Sequence, residues 1–243
     1  MKPIAPIRTV MASTTVLALL GCGGGGSSSA PTPTPPTTSP PTNTSTPAVA
    51  KGVITGFGSV HVNGVHWNTD NAAFSVDDTD GNESQLRVGN VVVVHGSIDG
   101  DGEAHADSIE YDAEVEGTVD SVDETAGTFV VSGITITVND DTVFDDDVPG
   151  QMLSGLMAGD YVEVSALSGP DGFIATRVEL EVDDGEIEIK GHVASLTATT
   201  FEINGKLIDY SGATFEDYGS DVLAENDYVC LLYTSPSPRD SMT

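Results

Sequence analysis

The sequence predicts an all-β protein: tandem small five-stranded barrels behind a disordered N-terminal segment. Three observations point there. Three stretches restart with the same beat, at Gly52-Val53-Ile54, Gly117-Thr118-Val119 and Gly191-His192-Val193. Each then runs into an alternating stretch centred on a glycine, "VHVNGVHWN", "FVVSGITIT" and "FEINGKLID". With 38% hydrophobic residues, 6% aromatic residues and 27 Gly, the composition suits small β units joined by many turns better than one thick core.

The central stretches read as hairpins. Asn63-Gly64 fits a two-residue turn, in which both central residues need positive φ. That register sets Val62 against Val65, His61 against His66 and Val60 against Trp67. Val60, Val62, Val65 and Trp67 then share an inward face, while Ser59, His61, His66 and Asn68 share the outward one. The second unit repeats the pattern, with Phe129, Val131, Ile134 and Ile136 inward and Thr135 and Thr137 outward. In the third, Lys206 falls on the apolar side next to the turn at Gly205.

An aromatic residue follows each hairpin: Phe74, Phe144, Phe215. Next come "LRVGNVVVV", "LMAGDYVEV" and "LAENDYV", each a leucine, a turn and a β-branched strand, with a helical turn expected near Gln151–Ala158 in the second unit. Gly89 and Gly159 occupy the turn; Asn226 replaces them in the third unit and marks a left-handed position. The "VVVV" run from Val91 reads as a buried strand. "DGEAHADSIE" and "DGFIATRVE" close the first two units. Five short strands per unit is the scale of a small barrel, and closure would remove the exposed edges of an open sheet.

Ahead of the repeats, Lys2 and Arg8 precede a short apolar run, Val10–Gly21, too short for a membrane span of about 20 apolar residues. It ends in "LLGC", which resembles the lipobox of bacterial lipoproteins; the resemblance implies cleavage after Gly21 and lipidation of Cys22. Acyl chains contribute about 0.8 kcal/mol of membrane affinity per buried methylene. Gly23, in place of an inner-membrane retention Asp, leans towards the outer membrane, with the periplasmic or outer face left open. The Gly/Ser/Thr/Pro-rich residues that follow read as a spacer. The expected boundaries are 1–21 signal peptide, 22–50 disordered linker, 51–116 and 117–190 complete repeats, 191–229 a truncated third repeat, and 230–243 a tail.

That tail, "CLLYTSPSPRDSMT", stands where the rest of a strand and a "DG…A…(I/V)E" strand should follow. It resembles translated sequencing-adapter read-through; the alternative is a short genuine tail.

"GVITGFGSVHVNGVHWNTDNAAFSVD" and "LRVGNVVVVHG", with their two echoes, resemble bacterial lipoproteins carrying tandem copies of domain of unknown function 5666. The resemblance spans Gly52 to Val229. It implies an OB-like barrel repeat and supplies no catalytic residue.

The chain carries 8 Lys+Arg against 38 Asp+Glu, a net charge of -30, which repels nucleic acid and anionic headgroups. His61 and His66 face each other closely enough to share a zinc ion, although no third ligand is evident. "DDTDGNE", with Asp78, Asp80 and Asn82, and "DGDGE", with Asp99 and Asp101, resemble pieces of calcium loops; ordinary hairpin turns explain the same residues. No nucleophile elbow, H-E-x-x-H or phosphate-cradling loop is present. The expectation is therefore a non-enzymatic binding or scaffold module, without catalytic residues or a required cofactor. It would be anchored to the envelope membrane through Cys22 and bind a glycan or protein, not nucleic acid. The rivals are an envelope polysaccharide enzyme using carboxylates and a calcium-stiffened stalk. Sequencing the gene without interruption past Val229 should replace "CLLYTSPSPRDSMT" with the remainder of a strand and a closing "DG…A…(I/V)E" strand.

Overall fold

The computed structural model describes residues 7–9, 45–169, 172–183, 185–216 and 222–234. The first repeat comprises β2 (Thr46–Gly56), β3 (Val60–Val62), β4 (Val65–Asn68), β5 (Ala73–Val76), β6 (Thr79–Gly81), β7 (Val91–Ile98) and β8 (Ala104–Tyr111). The second holds β9 (Val115–Asp123), β10 (Thr128–Val131), β11 (Ile134–Thr137), β12 (Val143–Phe144), β13 (Tyr161–Gly169) and β14 (Gly172–Leu180). The third holds β15 (Glu186–His192), β16 (Thr200–Ile203), β17 (Lys206–Asp209), β18 (Phe215–Glu216) and β19 (Tyr228–Thr234). A further strand, β1, is Ile7–Thr9. Short 3-10 turns at Pro149–Gln151 and Leu153–Gly155 stand where a helical turn is expected.

Each hairpin forms in the register that the alternation requires. Val60 pairs with Trp67, His61 with His66 and Val62 with Val65; Val131 pairs with Ile134 and Ile203 with Lys206. The central residues have positive φ in all three turns: Asn63 and Gly64, Ser132 and Gly133, Asn204 and Gly205. Both side-chain faces then sort as the pattern demands. Val60, Val62, Trp67, Phe129, Val131, Ile134 and Ile136 are buried, whereas Val65 is only half-buried. Asn226 adopts φ 69°, the left-handed geometry expected of it.

The first two repeats close. β2 pairs with β3, β3 with β4, β4 runs parallel to β8, β8 pairs with β7, and β7 returns to β2. β9, β10, β11, β14 and β13 form the same ring. In repeat order this is strand one, two, three, five, four and back to one, the OB arrangement. Repeat three supplies the β15–β19 pair and the β16–β17 hairpin. Ile7–Thr9, inside the predicted leader, lies antiparallel to β19 and parallel to β18, the relations that β14 holds to β13 and β12.

Two boundaries differ from the sequence reading. β2 begins at Thr46, so the last five residues of the predicted linker are a strand paired with β7. Backbone pairing needs no side-chain pattern, and nothing in "TPAVA" signals it. The fourth strand of repeat three also does not stop at Val229. Cys230–Thr234 continue it against Glu186–Lys190, and Leu231 is buried. An alternating apolar run of any origin satisfies such an edge. The remainder of the leader and linker, including Cys22, lies outside the described residues.

Two cores result. One belongs to repeat one alone, around Ile54, Trp67, Val94 and Ile109. The other is continuous through repeats two and three, from Phe129 and Phe173 to Phe201 and Leu231. Phe129→Ala should therefore cost about 3–5 kcal/mol in the shared core. Chemical denaturation should show the far-UV transition of repeats two and three moving to lower denaturant. The emission of Trp67, the single tryptophan and buried in repeat one, should move much less.

Candidate functional site

The turn between the leucine and the fourth strand has the same wiring in every repeat. In repeat one the Arg87 amide donates to Asn90 Oδ1 at 2.6 Å. Gly89 N donates to Ile54 O at 2.9 Å, and Ile54 N to Asn90 O at 2.8 Å. Asp160 and Asp227 take the place of Asn90, accepting from the amides of Met157 and Ala224 at 2.8 Å each. Gly159 bonds Val119 O, and Asn226 bonds Val193 O.

The outer side of this turn differs between repeats one and two. A methyl group on Gly89 would stand 2.8 Å from Thr176 O and 2.9 Å from Arg177 Cβ, whereas one on Gly159 would meet nothing within 4 Å. Repeat one is thus seated, by its turn, on β14 of repeat two. Arg177 clamps it there: Nη1 donates to Val88 O at 3.1 Å, and Nη2 to Glu179 Oε1 at 3.0 Å and to Asp145. The aligned residue in repeat one is Ser108.

Behind the clamp, a chain of donors crosses the seam. Asn90 Nδ2 donates to Ser165 Oγ at 3.2 Å, Ser165 Oγ to Tyr111 Oη at 3.1 Å, and Tyr111 Oη to Glu163. Burial pushes the Glu163 carboxyl up to about 8; the Tyr111 hydroxyl pulls it back, while Asp77, Glu179 and Glu116 add to the rise. Glu114, in the linker between the repeats, accepts from the Ala166 amide at 2.9 Å, and its own amide donates to Val164 O at 3.1 Å. Burial raises Glu114 to about 7, against the Ala166 amide, Lys51 and Lys190. On the side of repeat three, Lys190 lies 2.5 Å from Glu188 and 3.5 Å from Asp112. Burial opposes its charge, but these two carboxylates outweigh burial and hold the ammonium above its ordinary value.

Beside the seam opens a cleft of about 500 Å3. Its walls are Val53 and Thr55 of β2, Val88 of the turn, Asn139, Asp141 and Val143, and Leu167, Ile174 and Thr176 of β13 and β14. Val88 and Leu167 are each 40% exposed. Apolar walls with a few polar groups suit a neutral ligand held by contact and a handful of hydrogen bonds.

The residues singled out by sequence lie elsewhere. The His61 and His66 rings sit 4.6 Å apart, and His66 Nε2 is 2.8 Å from Gly58 O. Among the described residues, no group of three His, Cys, Asp or Glu side chains is arranged to hold a metal ion. Asp78, with Asp77, forms the positive-φ turn between β5 and β6, and Asp80 on β6 pairs with Ser75 on β5. Asn82 caps a 3-10 turn, accepting from the Ser84 amide at 3.1 Å. Asp99 anchors the β7–β8 turn and lies 3.5 Å from His105, with Asp101 at the exposed tip. Sequence reasoning missed Tyr111, Glu114, Glu163 and Arg177. The available signal was Arg177, one of only 8 Lys+Arg, standing where repeat one has Ser108.

Barrels of OB strand order repeated along one chain define a tandem β-barrel protein. The chain belongs to the family described as Domain of unknown function (DUF5666), which matches residues 51–110, 116–179 and 190–230 in three tandem copies. No curated protein and no solved structure matches it.

Arg177→Ser, which installs repeat one's own residue, should destabilise the protein by about 2 kcal/mol or more in urea denaturation, because it strands Asp145, Glu179 and Val88 O. Since the Asp-rich stretches serve as turns and caps, the melting temperature should be the same in calcium and in a chelator.

Proposed function

We propose that the protein is a lipid-anchored bacterial envelope lipoprotein whose repeats form a non-enzymatic binding or scaffold module. The observation that carries this reading is the cleft between repeats one and two, set against barrel interiors filled by their own side chains. Trp67, Phe129 and Phe173 are almost fully buried and pack the interiors of repeats one and two. The cleft offers apolar walls, two amphipathic threonines, Asn139 and Asp141. That mixture fits the apolar face and hydroxyl rim of a neutral glycan, or an uncharged peptide segment. A net charge of -30 argues against nucleic acid. Anchoring rests on "LLGC" and the spacer behind it, which would hold the barrels away from the bilayer.

The rival enzyme reading gains little from this geometry. Glycoside hydrolysis takes two carboxyl groups about 5–9.5 Å apart across the bond, and the cleft is lined by one, Asp141.

Two measurements test the proposal. Metabolic labelling with a fatty acid should mark the wild-type protein and leave Cys22→Ser unlabelled and released from membranes. Neutral envelope oligosaccharides should bind the wild type, and Leu167→Asp or Val88→Asp should weaken binding at least tenfold. Equal binding by the cleft variants, or turnover of the oligosaccharide, would overturn the reading of the cleft.

A further inference from the structure

Repeats two and three are joined edge to edge by their first strands, and the join has a local two-fold symmetry. Val115 stands two residues before Gly117, Ile189 stands two before Gly191, and they pair with each other. Glu116, one residue before its glycine, pairs with Glu188, three before its own. Across the axis the Lys190 amide, one before, donates to the carbonyl of Glu114, three before, at 2.8 Å. One first-strand edge is therefore complementary to another, antiparallel and in a single register.

Repeat one carries the corresponding edge on β2. β2 pairs with β7 from Thr46 to Val53 and with β3 only at Ile54 and Gly56. Among the described residues, no strand lies along its other side ahead of Ile54. A side chain lies there instead. Asn63, in the hairpin turn, donates from Nδ2 to Lys51 O at 2.9 Å. Lys51 stands one residue before Gly52, the place that Glu116 and Lys190 fill in the paired edges. The asparagine packs so closely that a methyl group on Gly52 would stand 2.2 Å from Asn63 Oδ1. The other repeats show that this seal and a paired strand are alternatives. Repeat two has Ser132 at the place of Asn63, a shorter side chain, and its edge takes β15. Repeat three has Asn204 there, but its edge is taken by β9, and Asn204 Nδ2 is buried without a hydrogen-bond partner. The amide that is satisfied on the unpaired edge is stranded beside the paired one.

We propose that the first-strand edge of repeat one is a pairing surface for the same edge of a second copy of this chain, and that the Asn63 side chain holds it shut. The occupant follows from the register seen between repeats two and three. That register sets Ala50 opposite the second copy's Ala50 and Val49 opposite its Lys51. Thr46–Val53 holds no acidic residue, so no carboxylates face each other across the pair, although the chain as a whole carries a charge of -30. The edge is also accessible: Val49 is 66% exposed, and the Lys51 ammonium goes off the sheet to Glu114, at 3.7 Å, and to the Tyr228 ring. Asn63 thus does for an open edge what prolines and charged residues do elsewhere, by capping a carbonyl that a foreign strand would use.

The test is sedimentation equilibrium of the full chain carrying Cys22→Ser, so that no acyl chain adds its own association. Asn63→Ser installs repeat two's residue, and Asn63→Gly keeps the positive-φ turn without a side chain. Each should self-associate at least tenfold more tightly than the parent. With Ala50→Cys added, each should form a disulfide between copies under mild oxidation, and the parent much less. Residues that face each other without exchanging hydrogen bonds lie about 4.5 Å apart at Cα, within reach of a disulfide. Cys230 is buried and serves as the background, and Trp67 emission checks the core of repeat one. Unchanged association in both variants, association without the Ala50→Cys disulfide, or a parent that dimerises as tightly would each refute the proposal. Where neither variant keeps Trp67 buried, the wild-type Asn63 side-chain amide decides. Slowed hydrogen exchange there supports the seal, and exchange as fast as that of a free asparagine amide removes it.

Discussion

Each barrel depends on one set of backbone contacts, the tie between its first strand and the turn before its fourth. In repeat one, Gly89 and Asn90 exchange hydrogen bonds with Ile54, and the other repeats do the same at Val119 and Val193. Strands one and four are separated by two hairpin strands and a long connection. Without this tie the ring would open where sequence separation is greatest and loop closure costs most entropy. The left-handed residue in the turn is what aims both groups at the first strand. Asparagine can replace glycine there because it tolerates φ of 69°. Once the first and fourth strands are joined, the parallel contact of strands three and five completes the wall, and alternation fills the interior.

Closure also decides what is left for the outside. A closed barrel has spent its apolar face on itself, so its neighbours must be held by other means. Repeats two and three avoid this limit because β15 adds to β9 and their cores run together. Repeat one has no such strand partner in repeat two. It rests a glycine turn on β14 and relies on polar groups, which repay burial only when each finds a partner. Arg177, Asn90, Ser165 and Tyr111 all do. One seam is therefore apolar and the other polar.

The hairpins were legible because their cause is local. Period-two alternation and a positive-φ turn act over nine residues, and Trp67, Phe129 and Ile136 went inward as that logic requires. Asn226 was legible for the same reason. Lys206, on the apolar side of its hairpin by register, was not. Its ammonium leaves the barrel and donates to Ser132 O in the neighbouring hairpin turn, a partner 74 positions away. Glu163 and Tyr111 were hidden in the same manner. Glu163 is an ordinary outward residue on its own strand and Tyr111 an ordinary core residue on its own, and each becomes special only when the two barrels meet. The start of β2 at Thr46 was missed because its pairing rests on backbone groups in a stretch whose composition reads as spacer.

A comparison of the aligned positions shows how little sequence separates a docking barrel from a bystander. Gly89 and Gly159 have the same φ of 98° and the same internal wiring, yet only one is covered. The cover is β14, where Thr176 and Arg177 replace the Asp107 and Ser108 of the corresponding strand in repeat one. An aspartate in place of Thr176 would bring another negative charge to the Glu179 and Asp145 side, and a serine could not span to Val88 O. The exchange of two residues thus turns the outer face of a fifth strand from one that repels an acidic neighbour into one that accepts its turn. In so acidic a chain, a single buried guanidinium tells one barrel where to sit, because among the described side chains no other arginine is buried.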